Sequence, residues 1–254
     1  MRRFPEKQTS KQGFARKIGL ARAMSKLGYC SRSRAAELIK AGRVNLNGAL
    51  RRDAEAPVQI GKDRIEIDGQ PLAGGAKIFL ILNKPRGVVT TASDEKGRET
   101  VYAYLPADLP WIAPVGRLDR ASEGLLILTN DSEWAARIAA PETHLDKIYH
   151  VQIGKVADEG LLKILWNGIQ TDEGEPLAVK RARILRHGEC NSWLEIVLDE
   201  GKNRQIRRMF EHLDIDVLRL VRVAIGPLNL GDLPKGRTRP LGNEEKRAID
   251  RAMQ

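Results

Sequence analysis

The chain has 254 residues, and its 43 lysines and arginines outnumber its 33 aspartates and glutamates, giving a net charge of +10. That length suits one large domain, or one medium and one small. No apolar run approaches the roughly 20 residues of a membrane helix, which excludes a membrane-spanning helical protein. The charge is unevenly placed: residues 1–52 hold 14 basic and 2 acidic residues, and the remainder is close to neutral. Such a block suits a polyphosphate partner, because binding releases condensed counterions. The opening MRRFPEKQTSKQG has no apolar core and does not read as a secretory signal. Cys30 and Cys190 lie far apart with no metal-ligand spacing, and read as reduced thiols. A cytoplasmic protein is expected.

Residues 1–15 are polar, basic and without period, and are expected to form a flexible arm. Between Ala15 and Leu27 apolar residues recur at Ile18, Ala21, Met24 and Leu27, which predicts a helix closed by Gly28. Ser31 is placed to cap a second helix, with Arg34 where a capping box has its acid. Ala35, Leu38 and Ile39 give that helix an apolar face, Arg32, Arg34 and Lys40 lie away from it, and Gly42 stops it. VNLNGAL is a hairpin signal about Asn-Gly, and DRIEIDGQPL adds a short strand and a turn. The module spans residues 16–75, with Ala73–Ala76 as a small linker.

A second domain is expected over residues 77–242, followed by a tail at 243–254. KIFLILN reads as an apolar strand closed by Lys84-Pro85-Arg86-Gly87. Thr100–Leu105 reads as a short helix, and Trp111–Val115 leads into GRLDRASEGLLILTND at Gly116–Asp131. Asp119 stands there in a turn between Arg117 and Arg120, and the strand Gly124–Thr129 follows. So apolar a strand is buried in a sheet, so the turn sits at the rim, rigidly held and facing solvent. Flanking guanidiniums favour the charged form of a carboxylate, the form that a nucleophile or base needs. Asn130 is expected to cap a helix, with Glu133 in the capping-box position, Trp134 and Ile138 packed inward, and Pro141 as its end. KIYHVQI alternates, so Tyr149, Val151 and Ile153 share a face. A helix with Leu161, Leu162 and Leu165 inward ends at Gly168, and Asp172-Glu173-Gly174 turns a hairpin. Trp193–Leu198 is another strand. It runs into DEGKNRQIRRMFEHL, where Ile206, Met209, Phe210 and Leu213 face the core, and Arg204, Arg207 and Glu211 share a flank. Leu218–Ile225 reads as the last strand, LPKGRTRPL as an extended basic segment lying along the polyphosphate partner or closing the sheet, and 243–254 as a short helix.

GRLDRASEGLLILTND closely resembles the active-site motif of the bacterial ribosomal-RNA pseudouridine synthases of the RsuA/RluB kind. LNKPRG, the KxY motif at Tyr149 and EGKNRQIRRM match further motifs of that family. ARAMSKLGYCSRSRAAELIKAGRVNLNG resembles the S-four RNA-binding domain. The resemblance implies an α+β fold: a mixed, largely antiparallel central sheet with flanking helices, plus a small N-terminal α/β module. It implies Asp119 as the catalytic carboxylate, acting by attack on the anomeric carbon or by removing the neighbouring ribose proton. Tyr149 is implied to stack on the target base, and Arg207, with Arg204 as rival, to pair with Asp119. Arg117, Lys84, Lys202 and Leu198 are the expected substrate contacts. Lys26, Ser31, Arg32, Arg34 and Arg43 are the expected RNA contacts.

The implied reaction isomerises uridine to pseudouridine and needs no cofactor or metal. The chain shows no P-loop, zinc spacing or Rossmann glycine pattern. The expected partner is ribosomal RNA or a ribosome-assembly intermediate, large-subunit RNA slightly favoured, bound by a monomer. Two other readings compete. One is an assembly factor whose catalytic domain has decayed, but Asp119, Tyr149 and RQIRR form a complete set. The other is a glycosidase, which usually needs two carboxylates, and near Asp119 only Glu123 offers a second.

Overall fold

A computed structural model describes residues 17–92, 94–170, 174 and 176–254. The expected arm at 1–15, and Asp172 and Glu173 of the expected turn, lie outside the described residues. The chain divides into two compact units, one ending at Gly75 and the other beginning at Ala76.

The first unit opens with a two-residue strand, β1 (Ile18–Gly19), then α1 (Leu20–Lys26) and α2 (Arg32–Lys40). The helix expected from Ala15 therefore starts later. Ile18 and Gly19 are drawn into antiparallel pairing with β4 (Pro57–Val58). The apolar residue at 18 serves that ladder rather than a helical face. Ser31 caps α2 as expected, its hydroxyl accepting from the Arg34 amide at 3.1 Å. Strands β2 (Val44–Leu46), β3 (Ala49–Arg51), β5 (Ile65–Ile67) and β6 (Gln70–Pro71) form a sheet of order β3-β2-β5-β6. Its two hairpins turn on Asn47-Gly48 and Asp68-Gly69, all four residues with positive φ, as tight two-residue turns require. Leu20, Met24, Ile39, Val44 and Val58 form the core.

The second unit is built on one mixed sheet of nine strands among the described residues. In chain order its elements are β7 (Phe79–Lys84), β8 (Ala113–Pro114), β9 (Glu123–Thr129), α3 (Ser132–Ala139), β10 (Lys147–Ile153), α4 (Glu159–Asn167), β11 (Arg181–His187), β12 (Ser192–Leu198), α5 (Gln205–Glu211), β13 (Val217–Ile225), β14 (Leu228–Asn229), β15 (Thr238–Pro240) and α6 (Asn243–Ala252). The main order is β11-β12-β10-β13-β9-β7-β15, with β14 on β13 and β8 on β9. Among the strand pairs of the described residues, only β9 and β13 run parallel. Val217–Ile225 is thus a central strand and not the last. The basic segment after it returns as β15, antiparallel to β7, and closes that edge.

Strand β9 is buried along its whole length. Leu125 and Ile127 face a core completed by Trp134, Ile138 and Ile249. Leu126 and Leu128 face a second core with Val101, Ile112 and Leu118. A third core packs Leu161, Leu165, Met209 and Phe210 from α4 and α5 on β10 and β12. Tyr149 touches both the second and third cores. The cap of α3 is Asp131 and not Asn130: Asp131 accepts from the Glu133 and Trp134 amides. Asn130 instead clamps the chain before β7, accepting from the Ile78 amide at 2.8 Å and donating to the Ala76 carbonyl at 2.9 Å.

Two features hold the loop between β8 and β9. Gly124, at φ +104°, is where β9 meets β13 in parallel register. A Cβ there would lie 2.3 Å from the Arg222 carbonyl oxygen, so only glycine allows the approach. Lys84, at the end of β7, is completely buried. Its ammonium donates to the carbonyls of Pro85 (3.1 Å), Asp119 (3.1 Å) and Ser122 (2.8 Å). This corrects the expectation of Lys84 as a substrate contact: an ammonium engaged by three carbonyls and shut from solvent holds the loop instead. Burial lowers its pKa to about 8, with Arg222 adding to the effect, against the opposing pull of Asp119 and Glu123.

Two outcomes follow. Gly124→Ala is expected to cost about 2–4 kcal/mol of stability, read by urea unfolding. Between pH 8 and the 10.5 of an ordinary lysine, the unfolded chain keeps a proton that folded Lys84 has lost. The buried charge therefore weakens the fold below pH 8, and this penalty fades as pH rises to 10.5. The stability of the wild type relative to Lys84→Met is expected to rise across that window, and a difference that stays flat with pH contradicts it.

Candidate active site

The segment between β8 and β9 is rigid despite being a loop. Leu118 is buried in the second core. Thr90 Oγ1 donates to its carbonyl at 2.7 Å. The Ser122 amide donates to the Asp119 carbonyl at 2.9 Å, closing a turn, and the Gly87 amide donates to the Arg120 carbonyl at 2.7 Å. Asp119 itself is half-buried. Among the described residues its carboxylate accepts no hydrogen bond and joins no ion pair. Its backbone is fixed and its functional group is left open.

Asp119 faces a cavity of about 560 Å³, within the usual range for small-molecule sites. Arg117, Tyr149, Leu198, Lys202 and Arg204 line the same cavity. Tyr149 comes from β10, with Ile196 of β12 and Arg222 of β13 as its direct neighbours across the sheet. Leu198 lies opposite Lys147 in the β10–β12 ladder. Lys202 pairs with Glu200 at 3.2 Å.

The two motif arginines separate. Arg204, at φ +49°, precedes α5 and pairs with Glu211 at 2.7 Å, two turns on. Arg207 is buried. Its Nη2 donates to the Ala121 carbonyl at 2.9 Å and not to the Asp119 carboxylate. The direct ion pair expected of either arginine is therefore replaced by a brace. Arg207 stabilises the loop backbone two residues after Asp119. Burial and the charge of Arg204 lower its pKa, while Asp119 pulls the other way, which marks the two as electrostatic neighbours.

Glu123, the second acid of the stretch, is locked away. It is 1% exposed, with bidentate bonds from Arg219 at 2.9 and 3.2 Å and a short bond from Lys235. Burial opposes its charge, but the two cations outweigh it and hold the carboxyl below the ordinary range. It does not line the cavity, so Asp119 and Glu123 do not form a hydrolytic pair. Among the described residues no cluster of three or more His, Cys, Asp or Glu is placed to hold a metal. No helix among them is long and apolar enough to cross a membrane.

Lys147 and Arg222 also line the cavity, and the residue-type reading passed over both. Alternation through KIYHVQI sets Lys147 on the face of Tyr149, so that signal was present in the sequence. Arg222 carried none, since an arginine in a strand ordinarily faces water. Of the expected RNA contacts in the first unit, Arg32, Arg34 and Arg43 are exposed. Arg34 pairs with Glu37 at 2.9 Å, and Arg43 grips Asp68 with two nitrogens. Ser31 is engaged in its cap, and Lys26 lies at the end of α1.

Residues 78–212 match the RNA pseudouridylate synthase family, and residues 18–65 match the S4 domain. "Ribosomal large subunit pseudouridine synthase B" of Bacillus subtilis is 35% identical over 231 residues, covering 91% of this chain and 94% of that protein. An "Uncharacterized RNA pseudouridine synthase" of Aquifex aeolicus is 36% identical over 238 residues, 93% of this chain and 95% of that protein. A crystal structure of a pseudouridylate synthase superposes with a TM-score of 0.65 at 28% identity, covering 91% of this chain and 99% of the other. With the mixed sheet, the motifs and these matches in agreement, the chain belongs to the RNA pseudouridylate synthase family and carries an S4 domain ahead of the synthase fold.

Proposed function

We propose that this enzyme isomerises a specific uridine in ribosomal RNA, in the large subunit, with Asp119 as its single catalytic carboxylate and no cofactor. The observation that carries the reading is an unpaired carboxylate on a braced loop, facing one cavity with Tyr149. The name of the Bacillus subtilis relative supports the choice of large-subunit RNA.

The reaction breaks the bond from ribose C1′ to uracil N1 and makes one from C1′ to C5. Every atom is retained, so no oxidant, reductant or energy source is consumed. Asp119 starts it, by attack on C1′ or by removing the C2′ proton. Tyr149 stacks on the freed base while it turns, and Leu198 floors the pocket. Arg117, Lys202 and Arg204 contact the ribose-phosphate chain at the mouth. After C5 joins C1′, the C5 proton leaves and N1 is protonated. The target must leave its stack to enter, at a cost of a few kcal/mol. Contacts made elsewhere offset that cost. The S4 domain, over residues 16–75, supplies them through Lys26, Ser31, Arg32, Arg34 and Arg43, gripping phosphates without reading bases. A monomer acting in the cytoplasm fits this reading.

Asp119→Asn is expected to slow isomerisation at least about 1,000-fold in a folded protein. Carbodiimide mapping of modified uridines in the RNA reads it, and unchanged turnover refutes the role. A chain of residues 76–254 is expected to keep its turnover at saturating RNA but need at least about tenfold more RNA for half its rate. Equal performance at limiting RNA removes the S4 domain from substrate capture.

A further inference from the structure

Two cations in the cavity wall, Lys147 and Arg222, have no part in the steps above, and Arg222 is the more deeply placed. Arg222 lies in β13, directly across from Tyr149 in β10. It is 5% exposed and lines the cavity. Its Nε donates to the Leu125 carbonyl at 2.8 Å, while its Nη2 is buried with no partner among the described residues. Buried donors are nearly always satisfied, so one that is not points to an acceptor that arrives from outside the chain. Two more buried polar atoms without partners, Ser122 Oγ and Gln205 Oε1, belong to residues lining the same cavity. Three residues of the wall thus each carry a buried polar atom with no partner among the described residues, which an apolar core does not show. Among the described residues no carboxylate forms an ion pair with Arg222.

The chemistry identifies the guest. When the C1′–N1 bond breaks, its electron pair leaves with the base. The freed uracil is an anion whose charge spreads over N1, O2 and O4. Resting on the uridine reading above, we propose that Arg222 is a further catalytic residue: through Nη2 it holds a carbonyl oxygen of the departing uracil and stabilises its negative charge. No proton moves in this contact, and the guanidinium stays charged throughout. When C5 bonds to C1′, the pair returns to the ring–sugar bond and the charge on the oxygens disappears. The stabilisation is greatest when the base is detached, as catalysis requires.

The test compares Arg222→Met with the wild type on two RNAs in single-turnover experiments. One carries uridine at the target, and the other 5-fluorouridine. Fluorine withdraws electrons and stabilises the uracil anion, so its departure needs less help. The variant is expected to be about 100-fold slower on uridine and less than about 10-fold slower in cleaving the fluorinated nucleoside from its N1 linkage. Equal losses on both RNAs, or no loss on uridine, overturn the proposal. Arg222→Lys keeps the charge and is expected to recover part of the uridine rate. A lysine variant no faster than the methionine one also overturns it. If Arg222→Met does not fold, the lysine variant carries the same two-substrate comparison against the wild type. A wild type that leaves uridine unchanged refutes the proposed function itself, whereas an active wild type with equal variant losses refutes the role of Arg222 alone.

Discussion

The ammonium of Lys84 sits where no water reaches, inside a ring of three backbone carbonyls, two of them from the loop that carries Asp119. The site depends on this arrangement. On the function proposed above Asp119 is the reacting carboxylate, and because its side chain joins no ion pair among the described residues, its position comes from its backbone. Lys84 supplies that from the end of β7, Arg207 from α5 through Ala121, and Leu118 from beneath through its core. Two elements distant in sequence, β7 and α5, converge with the anchored Leu118 on a few peptide groups and leave the side chain open. Errors of an ångström in such a position are costly to catalysis.

The site sorts its charges by role. Of two carboxylates four residues apart, one is open and one is locked between Arg219 and Lys235. The arginines divide in the same way: Arg204 at the cavity, Arg207 under the loop, Arg222 in the wall. A reaction that begins and ends with the same atoms needs no external group to carry electrons. On the function proposed above, it calls for one open acid, a stacking surface and a field suited to a transient anion.

Much of this was legible in the residues. The run GLLILT announced a buried strand, and position 119 before it announced a rim. Asn47-Gly48 announced its hairpin, and Ser31 its cap, because both signals are local. The misreadings are all long-range. Ile18 looked helical by spacing but pairs with Val58. Asn130 has the chemistry of a cap, yet a strand fifty residues earlier recruits its amide. Lys84 looked like a surface cation because lysines usually are, and only the folded sheet shows the carbonyls that make its burial tolerable. Arg207 shared a flank with Arg204 by period, but burial turned it onto the loop.

The pairing of β7 with β15 bears on how the molecule is made. Every strand pairing of the first unit joins residues between Ile18 and Pro71. Translation therefore completes that unit early. The outer edge of β7 waits until Thr238–Pro240 is synthesised, because Leu80 pairs with Pro240. In that interval an apolar strand presents unpaired amides and carbonyls, the condition under which strands join the wrong neighbour. The nascent synthase half thus has a vulnerable period at the ribosome that ends only when its final strand arrives, bringing a proline to an edge where a missing amide does no harm.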